Sequence, residues 1–276
     1  MKKEWHPDEL ARHWLLSPHE HDLLGESGAA RLNFAILLKA FQLDGRFPEL
    51  RGDIAESVVA FVSRQLSVLP ESYFEEDWSD RTQRLQRAQV REHCGFHTFR
   101  GEDEAAFVEW LSERVVSPNP EAEALKLAAY GHLLARKLEP PGPDRLRRLL
   151  DTAVARRKQR LVSETAARLS SPTRTALDAL VKTSAPEADT DQLPLFPVRS
   201  ELSDVKDGAG AVKVETVLDE INKLKKLRAL ELPDNLFHDV PGKLVAHYRQ
   251  RAATEPPREL RRHPPDMRYT LLAALC

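Results

Sequence analysis

The stretch GAARLNFAILLKAFQL, residues 28–43, decides the fold class of this protein. It is apolar on nearly every side, and that pattern is typical of a helix buried at the centre of a domain. Asp44 and Gly45 follow it, with Pro48 close behind. Because glycine readily adopts the left-handed conformation at which helices end, and proline cannot continue a helix, the central helix is predicted to stop here.

The composition of the whole chain predicts an all-α fold around this helix. The 276 residues are 41% hydrophobic but only 7% aromatic, whereas sheet-rich proteins use more β-branched and aromatic side chains. No apolar run reaches the roughly 18 residues needed to span a bilayer, and the N-terminal residues lack the apolar core of a signal peptide. Cys94 and Cys276 are the two cysteines, so a disulfide framework is excluded and a reducing cytosol is expected.

Helix signals recur along the chain. Ser17, Pro18 and Glu20 have the spacing of a capping box with proline at the first helical position. Apolar periodicity and the positions of proline and glycine then set the other expected helices. They are predicted at residues 7–14, 53–66, 81–94, 105–116, 120–138, 144–169, 173–183, 214–230, 236–251 and 269–275.

One proline-rich stretch marks the expected domain boundary. Residues 139–143 read EPPGP, which can neither extend a helix nor donate ladder hydrogen bonds. The length also favours two domains. We therefore predict two helical, helix-turn-helix-like domains, at residues 1–139 and 144–276. The second is expected to contain an irregular loop at residues 184–212 with an apolar island at residues 193–196.

Catalytic and metal-binding motifs are weakly represented. His93, Cys94 and His97 are close in sequence, as are His19 and His21, but structural zinc usually needs four ligands at paired spacings. These residues are therefore expected to be a buried free cysteine and partly exposed histidines. The chain contains no phosphate-binding loop, nucleophile elbow or zinc-protease motif. Neither a catalytic site nor a cofactor is predicted.

Charge is sorted into blocks although the formal net charge is only −2. Residues 81–100 hold five arginines against one glutamate, and residues 144–174 hold nine bases against three acids. The neighbouring segments 71–80 and 101–123 are acidic. Such sorting favours one-sided basic surfaces, which are typical of proteins that bind nucleic acid. Ordinary solvated helix faces are the alternative explanation.

The first basic segment predicts a helix that contacts DNA. At 100° per residue, Arg84, Arg87 and Arg91 fall within about 60° of one another, and no acid lies between them. Residues 58–66, a turn and this helix resemble a helix-turn-helix in outline. The glutamines of the segment could read adenine, and an exposed structural helix is the alternative. The candidate ligands of DNA are Arg81, Thr82, Arg84, Arg87 and Arg91, with Gln83, Gln86 and Gln89 as possible base readers.

A second basic row is predicted on the helix at residues 144–169. Four arginines fall within about a third of its circumference, opposite an apolar stripe that includes Leu146, Ala153 and Leu161. Such rows fit the phosphates of a duplex. The alternative is ion pairing with the acids of residues 101–123. The candidate ligands are Arg145, Arg148, Arg156 and Arg160, and a weaker set on the helix at residues 214–230 is Lys223, Lys225, Lys226 and Arg228.

These residues together carry a resemblance to a known family. Residues 28–48 resemble the N-terminal hallmark of the Tn-three family of replicative transposases. The segment from Arg81 and Thr82 through Arg91 to Gly95 and Phe96 is similar to that family's Arg-Thr, Arg and Gly-Phe pattern. Residues 218–232 and 268–275 resemble two later segments of the same family, so the resemblance spans nearly the whole chain.

The resemblance implies a role in transposition. It implies that this chain is an N-terminal part that binds the terminal inverted repeats in duplex DNA. A DDE-type catalytic domain, with its Mg²⁺ ions, is expected in a part of the transposase that lies beyond residue 276. The partners implied are duplex DNA and the rest of the transposase, which is expected to dimerise, in a bacterial cytoplasm near the nucleoid.

Two other functional classes remain open at this point. A helical adaptor could dock its basic faces on acidic partner surfaces. A metal-dependent nuclease could use the scattered acids, although two-metal chemistry needs two ions roughly 4 Å apart on shared carboxylates. The salt and sequence dependence of duplex binding distinguishes an adaptor from a protein that recognises DNA. Cleavage of plasmid in the presence of divalent metal tests the nuclease class.

Overall fold

A computed structural model describes residues 2–24, 28–75, 80–116, 122–182, 201–206 and 214–276. The described residues form helices joined by turns, apart from one two-residue strand pair, so the all-α prediction is confirmed. Contacts between Cα atoms divide the chain into two compact units. Unit 1 comprises Met1–Phe107 and Lys126–Leu149, and unit 2 comprises Val108–Leu125 and Leu150–Cys276. The predicted domains at residues 1–139 and 144–276 stay a prediction.

The helices have the following bounds in chain order. They are α1 (Pro7–His13), α2 (Pro18–Leu23), α3 (Gly28–Asp44), α4 (Glu56–Leu66), α5 (Ser72–Glu75), α6 (Asp80–Cys94), α7 (Gly101–Glu113), α8 (Ala122–Ala135), α9 (Pro143–Arg168), α10 (Ser171–Leu180), α11 (Glu201–Lys206), α12 (Val214–Arg228), α13 (Gly242–Thr254), α14 (Pro257–Arg262) and α15 (Pro265–Leu275). Strands β1 (His97–Thr98) and β2 (Leu138–Glu139) pair in parallel.

Unit 1 is built around α3, as predicted. Ten consecutive residues of this helix, Leu32–Phe41, are buried, and α4, α5 and α6 each pack against it. Gly45 ends the helix with a positive φ of 65°, and its Cα lies so close to Leu134 that a Cβ would clash with that side chain. The Ser17 capping box is also confirmed, since Ser17 accepts a hydrogen bond from the Glu20 amide.

Unit 2 has its own apolar core. It is formed mainly by α10, α13 and α15, with Leu177, Leu244 and Leu271 among its buried side chains. Residues Thr270–Ala274 are buried in succession, so the C-terminal helix packs as the apolar pattern predicted. Helix α9 runs through both units, and Leu146 in unit 1 and Ala153 and Leu161 in unit 2 are buried, which confirms these members of the predicted apolar stripe.

Several elements of the structure differ from the prediction. The helix expected at residues 236–251 begins only at Gly242, because Pro241 occupies its N-cap and the preceding residues form turns. Helix α14 was not predicted, although Pro256 and Pro257 give it a clear start. In the loop expected at residues 184–212, residues 201–206 form α11, and residues 184–200 and 207–212 lie outside the described residues.

Candidate nucleic-acid interface

Helix α6 is anchored to α3 by a polar contact inside the core. Asn33 Nδ2 donates to Gln86 Oε1 at 2.6 Å, and Gln86 Nε2 donates to the Ala30 carbonyl at 3.0 Å. Gln86 is only 7% exposed, and Val90, one turn later, is fully buried in the apolar cluster of α3. The prediction that Gln86 reads adenine is therefore wrong, because its amide is bonded inside unit 1.

Two of the predicted DNA ligands hold α6 in place from its side. Arg87 donates to the Pro48 carbonyl at 3.1 Å, and its guanidinium lies 5.3 Å from the centre of the Phe47 ring. Burial lowers the pKa of Arg87. Arg91 forms an ion pair of 2.9 Å with Glu139 on β2 and lies 5.9 Å from the same ring. Both side chains thus connect α6 to the segment that follows α3 and to β2.

The remaining side of α6 is open to solvent. Arg81, Arg84, Leu85 and Ala88 are exposed and follow the i, i+3, i+4, i+7 spacing of one helix face, which we call the α6 stripe. Leu85 is 60% exposed and follows Arg84 on this face. Thr82 and Gln89 are exposed beside the stripe, and Gln83 is half-buried. The stripe is thus a firmly mounted basic surface that includes one exposed leucine.

The arrangement of α4 and α6 differs from a helix-turn-helix with a short turn. Each of the two helices packs on α3, and α5 lies in the connection between them. In a typical helix-turn-helix, the first helix supports the recognition helix directly across a turn of three or four residues. Here the support for α6 comes from α3, through Gln86 and Val90.

In unit 1, the predicted arginine row on α9 begins with an ion pair. Arg145 Nε donates to Glu104 at 2.8 Å, a second nitrogen of Arg145 contacts the same oxygen, and the guanidinium lies 5.3 Å from the Phe99 ring centre. Arg148 is exposed. Glu104 belongs to the acidic segment at residues 101–123. Its contact with Arg145 is therefore the kind of ion pair expected from the sequence as the alternative to DNA binding.

In unit 2, one carboxylate holds the two later arginines of this row. Arg156 lies 3.1 Å from Glu109, and Arg160 also contacts Glu109. The hydrogen bond from Arg160 lowers the pKa of Glu109, and the same bond raises the pKa of Arg160. All three side chains are about a third or more exposed, so phosphate oxygens could replace the carboxylate at little cost.

Helix α12 carries the weaker lysine set. Lys223 lies 3.7 Å from Glu220 and is half-buried, whereas Lys225, Lys226 and Arg228 are exposed. The helix also exposes large apolar side chains, between 42% and 58% of their surface, at Val217, Leu218, Ile221 and Leu224. It therefore presents both charge and apolar surface to solvent.

A basic cleft between α9 and α13 of unit 2 was not predicted. It has a volume of about 170 Å³, and its cationic lining residues are Arg157, Lys158 and Arg251, with His247 beside them. Val154, Arg157, Lys158 and Leu161 on α9 repeat the i, i+3, i+4, i+7 spacing of Leu244, His247, Tyr248 and Arg251 on α13. That shared spacing is visible in the sequence, but it indicates a cleft only once α9 and α13 are known to lie side by side.

The candidate metal ligands do not form a cluster in the described ranges. The rings of His19 and His93 lie 5.7 Å apart, but no group of three or more His, Cys, Asp or Glu side chains that could hold a metal ion occurs among the described residues. Cys94 and Cys276 are free cysteines, both partly buried. Among the described helices, none is both long and apolar enough to cross a bilayer.

The chain is similar to known transposition proteins. Residues 1–153 match the family described as Domain of unknown function (DUF4158). The chain is 23% identical over 275 residues to the transposase for transposon Tn501 of Pseudomonas aeruginosa, and 23% identical over 270 residues to the transposase for transposon Tn3926 of Escherichia coli. Each match covers 97% of this chain and 26% of the relative, so the chain spans about a quarter of their length. The predicted resemblance to Tn-three family transposases is confirmed.

Proposed function

We propose that this chain, which belongs to the family described as Domain of unknown function (DUF4158), binds the terminal inverted repeats of a transposon. In this proposal it is the DNA-recognition part of a replicative transposase, and its partners are duplex DNA and the rest of that transposase. The similarity to two transposases over 97% of the chain supports the transposition context. The proposal assigns recognition to the chain, and strand cleavage to a catalytic domain elsewhere in the transposase.

The observation that carries the proposal is the α6 stripe. Arg81 and Arg84 are exposed on a helix whose opposite side is fixed by Gln86 and Val90. A major groove admits one α-helix, arginine pairs with guanine through two hydrogen bonds, and an apolar side chain such as Leu85 can contact a thymine methyl group. Rigid mounting favours such contacts, because little backbone freedom is then lost on binding.

The other basic residues would serve as contacts with the DNA backbone. Phosphate contacts position a protein on duplex DNA without reading its sequence. Arg148 and Lys226 are exposed, and Arg145, Arg156 and Arg160 are held by carboxylates on the protein surface. We expect these arginines to exchange their carboxylates for phosphates on binding. Arg87 and Arg91 would instead contribute indirectly, by holding α6 in position.

Titration of the full chain with two labelled duplexes tests the proposal. One duplex carries the terminal inverted repeat of the transposon that encodes the chain, and the other has the same bases in scrambled order. We expect tighter binding of the repeat and a log–log salt slope of about −5 to −7, because roughly six to eight phosphate contacts would release counterions. Equal competition by the two duplexes, or an affinity that does not change with salt, would overturn the proposal.

The alternative function is that of a helical adaptor, favoured by the exposed apolar side chains of α12. Val217, Leu218, Ile221 and Leu224 together would suit a helix that docks on a protein. The same titration separates the two functions, because an adaptor would show no preference for the repeat. A nuclease function is tested by incubating the chain with repeat-bearing plasmid in Mg²⁺ or Mn²⁺, where we expect neither cleavage nor joining.

A further inference from the structure

The basic cleft of unit 2 is lined by cationic side chains, which favour the binding of an anion. Arg157, Lys158 and Arg251 line it together with His247, and none of the lining residues that the structure describes is acidic. Cations that share a cleft repel one another unless negative charge lies between them. Glu255 balances Arg251 from outside the lining, so Arg157 and Lys158 carry the unbalanced charge of the cleft.

The two faces of α9 differ in how their charge is balanced. Arg156 and Arg160 share the carboxylate of Glu109. Arg157 and Lys158 lie on the neighbouring face, and for them the described residues show no ion pair within 4 Å. Arg157 is half-buried, and its Nε is a buried donor with no hydrogen-bond partner among the described residues. Because a buried donor without an acceptor is costly, an acceptor at this position would be well bound.

The opposite wall of the cleft is rigidly held. Arg251 contacts Glu255, and Glu255 in turn lies 2.6 Å from His263 Nε2. Tyr248 is 4% exposed and Leu244 is 4% exposed, so α13 meets the cleft with a packed apolar base. The cleft thus combines a fixed cation, two less restrained cations and an apolar floor.

We propose that this cleft binds a backbone phosphate of duplex DNA, with the phosphate oxygens accepting from Arg157 and Lys158. The inference rests on the proposed function, to which it adds a clamp in unit 2. The volume is compatible with this ligand, because 170 Å³ is well above the roughly 10–15 Å³ that one water needs, and the cleft therefore has room for a polar group larger than water. The apolar side chains of Leu244 and Val154 would contact the adjoining sugar.

The test compares two double variants of the full chain. The R157Q/K158Q variant removes both unpaired cations and keeps much of the side-chain stems. The R249Q/R258Q variant is the matched control, because it removes the same charge from two exposed residues of unit 2 outside the cleft. We expect R157Q/K158Q to bind repeat and scrambled duplexes about tenfold more weakly at 0.1 M salt, and to reduce the salt slope by about two units. The control should retain the wild-type slope within half a unit.

The outcomes separate the two proposals. If the wild type prefers the repeat and R157Q/K158Q keeps its slope and affinity, the cleft proposal is overturned while end recognition stands. If the wild type shows no repeat preference, end recognition itself fails. Melting of each variant with and without inorganic phosphate, at constant ionic strength, adds a further readout. A phosphate-induced rise in Tm that R157Q/K158Q loses, together with unchanged duplex binding, would make the cleft a site for free anions and overturn its assignment to DNA.

Discussion

Asn33 Nδ2 donates to Gln86 Oε1 at 2.6 Å inside the core of unit 1, and this bond joins the central helix to the arginine-rich one. The contact fixes the rotation of α6 about its axis, because Gln86 and Val90 face α3 together. Arg81 and Arg84 are then directed to solvent. The position of the proposed reading surface is thus set in part by a neutral polar pair, in addition to the contacts of Arg87 and Arg91.

Replacing Gln86 by alanine should destabilise unit 1. The change leaves Asn33 Nδ2 without an acceptor in the core, and a buried group left unpaired costs about 1–3 kcal/mol. Chemical denaturation followed by circular dichroism measures the loss. Gln89→Ala is the control, because Gln89 is exposed on the same helix and should change stability by less than about 0.5 kcal/mol. Equal stability of the two variants would contradict the anchoring role of Gln86.

The backbone of this fold could be predicted largely from local patterns. The apolar run of α3, the glycine exit at Gly45 and the Ser17 capping box depend on neighbours in sequence, and all three are confirmed. The start of α13 was predicted wrongly, since the apolar periodicity extends back to Leu236 while Pro241 sets the actual N-cap. At this helix start, the position of the proline is therefore a better guide than the apolar periodicity.

The roles of the arginines could not be predicted in the same way. A helical wheel places Arg84, Arg87 and Arg91 on one face, yet Arg91 pairs with Glu139, which is 48 residues away in sequence. Arg160 likewise meets Glu109, 51 residues away. Ion pairs at such separations depend on how the helices pack. The sequence therefore marks where arginines cluster, but not which of them already have partners.

Arg87 and Arg84 should respond differently to replacement by alanine. Arg87→Ala removes the bond to Pro48 and the contact with Phe47, so we expect a lower Tm and weaker binding of every duplex. Arg84→Ala should lower Tm less than Arg87→Ala does, because Arg84 is exposed and exposed contacts contribute only about 0–1 kcal/mol. It should reduce discrimination between repeat and scrambled duplex by about 1–3 kcal/mol. Anisotropy titrations and thermal melts measure both effects. A Tm of Arg84→Ala as low as that of Arg87→Ala would show that Arg84 is structural, and base reading would then have to be assigned to another element than α6.

The buried ion pair of Glu20 with Lys39 should make unit 1 sensitive to acid. Burial raises the pKa of Glu20, but the hydrogen bonds from Lys39, the Ser17 amide and Gln42 outweigh it and lower the pKa to about 2 from 4.5. Because the folded pKa lies below the unfolded one, the stabilisation is present above pH 4.5 and is lost as the pH falls toward 2. It amounts to about 3 kcal/mol.

Urea denaturation at pH values between 7 and 2 measures this loss. Glu20→Gln is the comparison, because it removes the titrating group and should flatten the dependence of unfolding free energy on pH in this window. It should also be less stable at pH 7, since Lys39 is then buried without a counter-charge. An equally steep acid dependence in Glu20→Gln would assign the effect to other carboxylates.

Glu109→Gln should strengthen duplex binding. Its carboxylate holds both Arg156 and Arg160, and removal of the negative charge frees two guanidinium groups for phosphate. We expect a several-fold rise in affinity for repeat and scrambled duplexes alike, with a salt slope steeper by up to about two units. The Tm should change little, because exposed ion pairs contribute only about 0–1 kcal/mol. Glu102→Gln is the matched control on the same helix, since Glu102 is exposed and forms no ion pair with the arginines of α9 among the described residues. An equal gain in both variants would assign the effect to net charge, and no gain in Glu109→Gln would show that Arg156 and Arg160 do not contact the duplex.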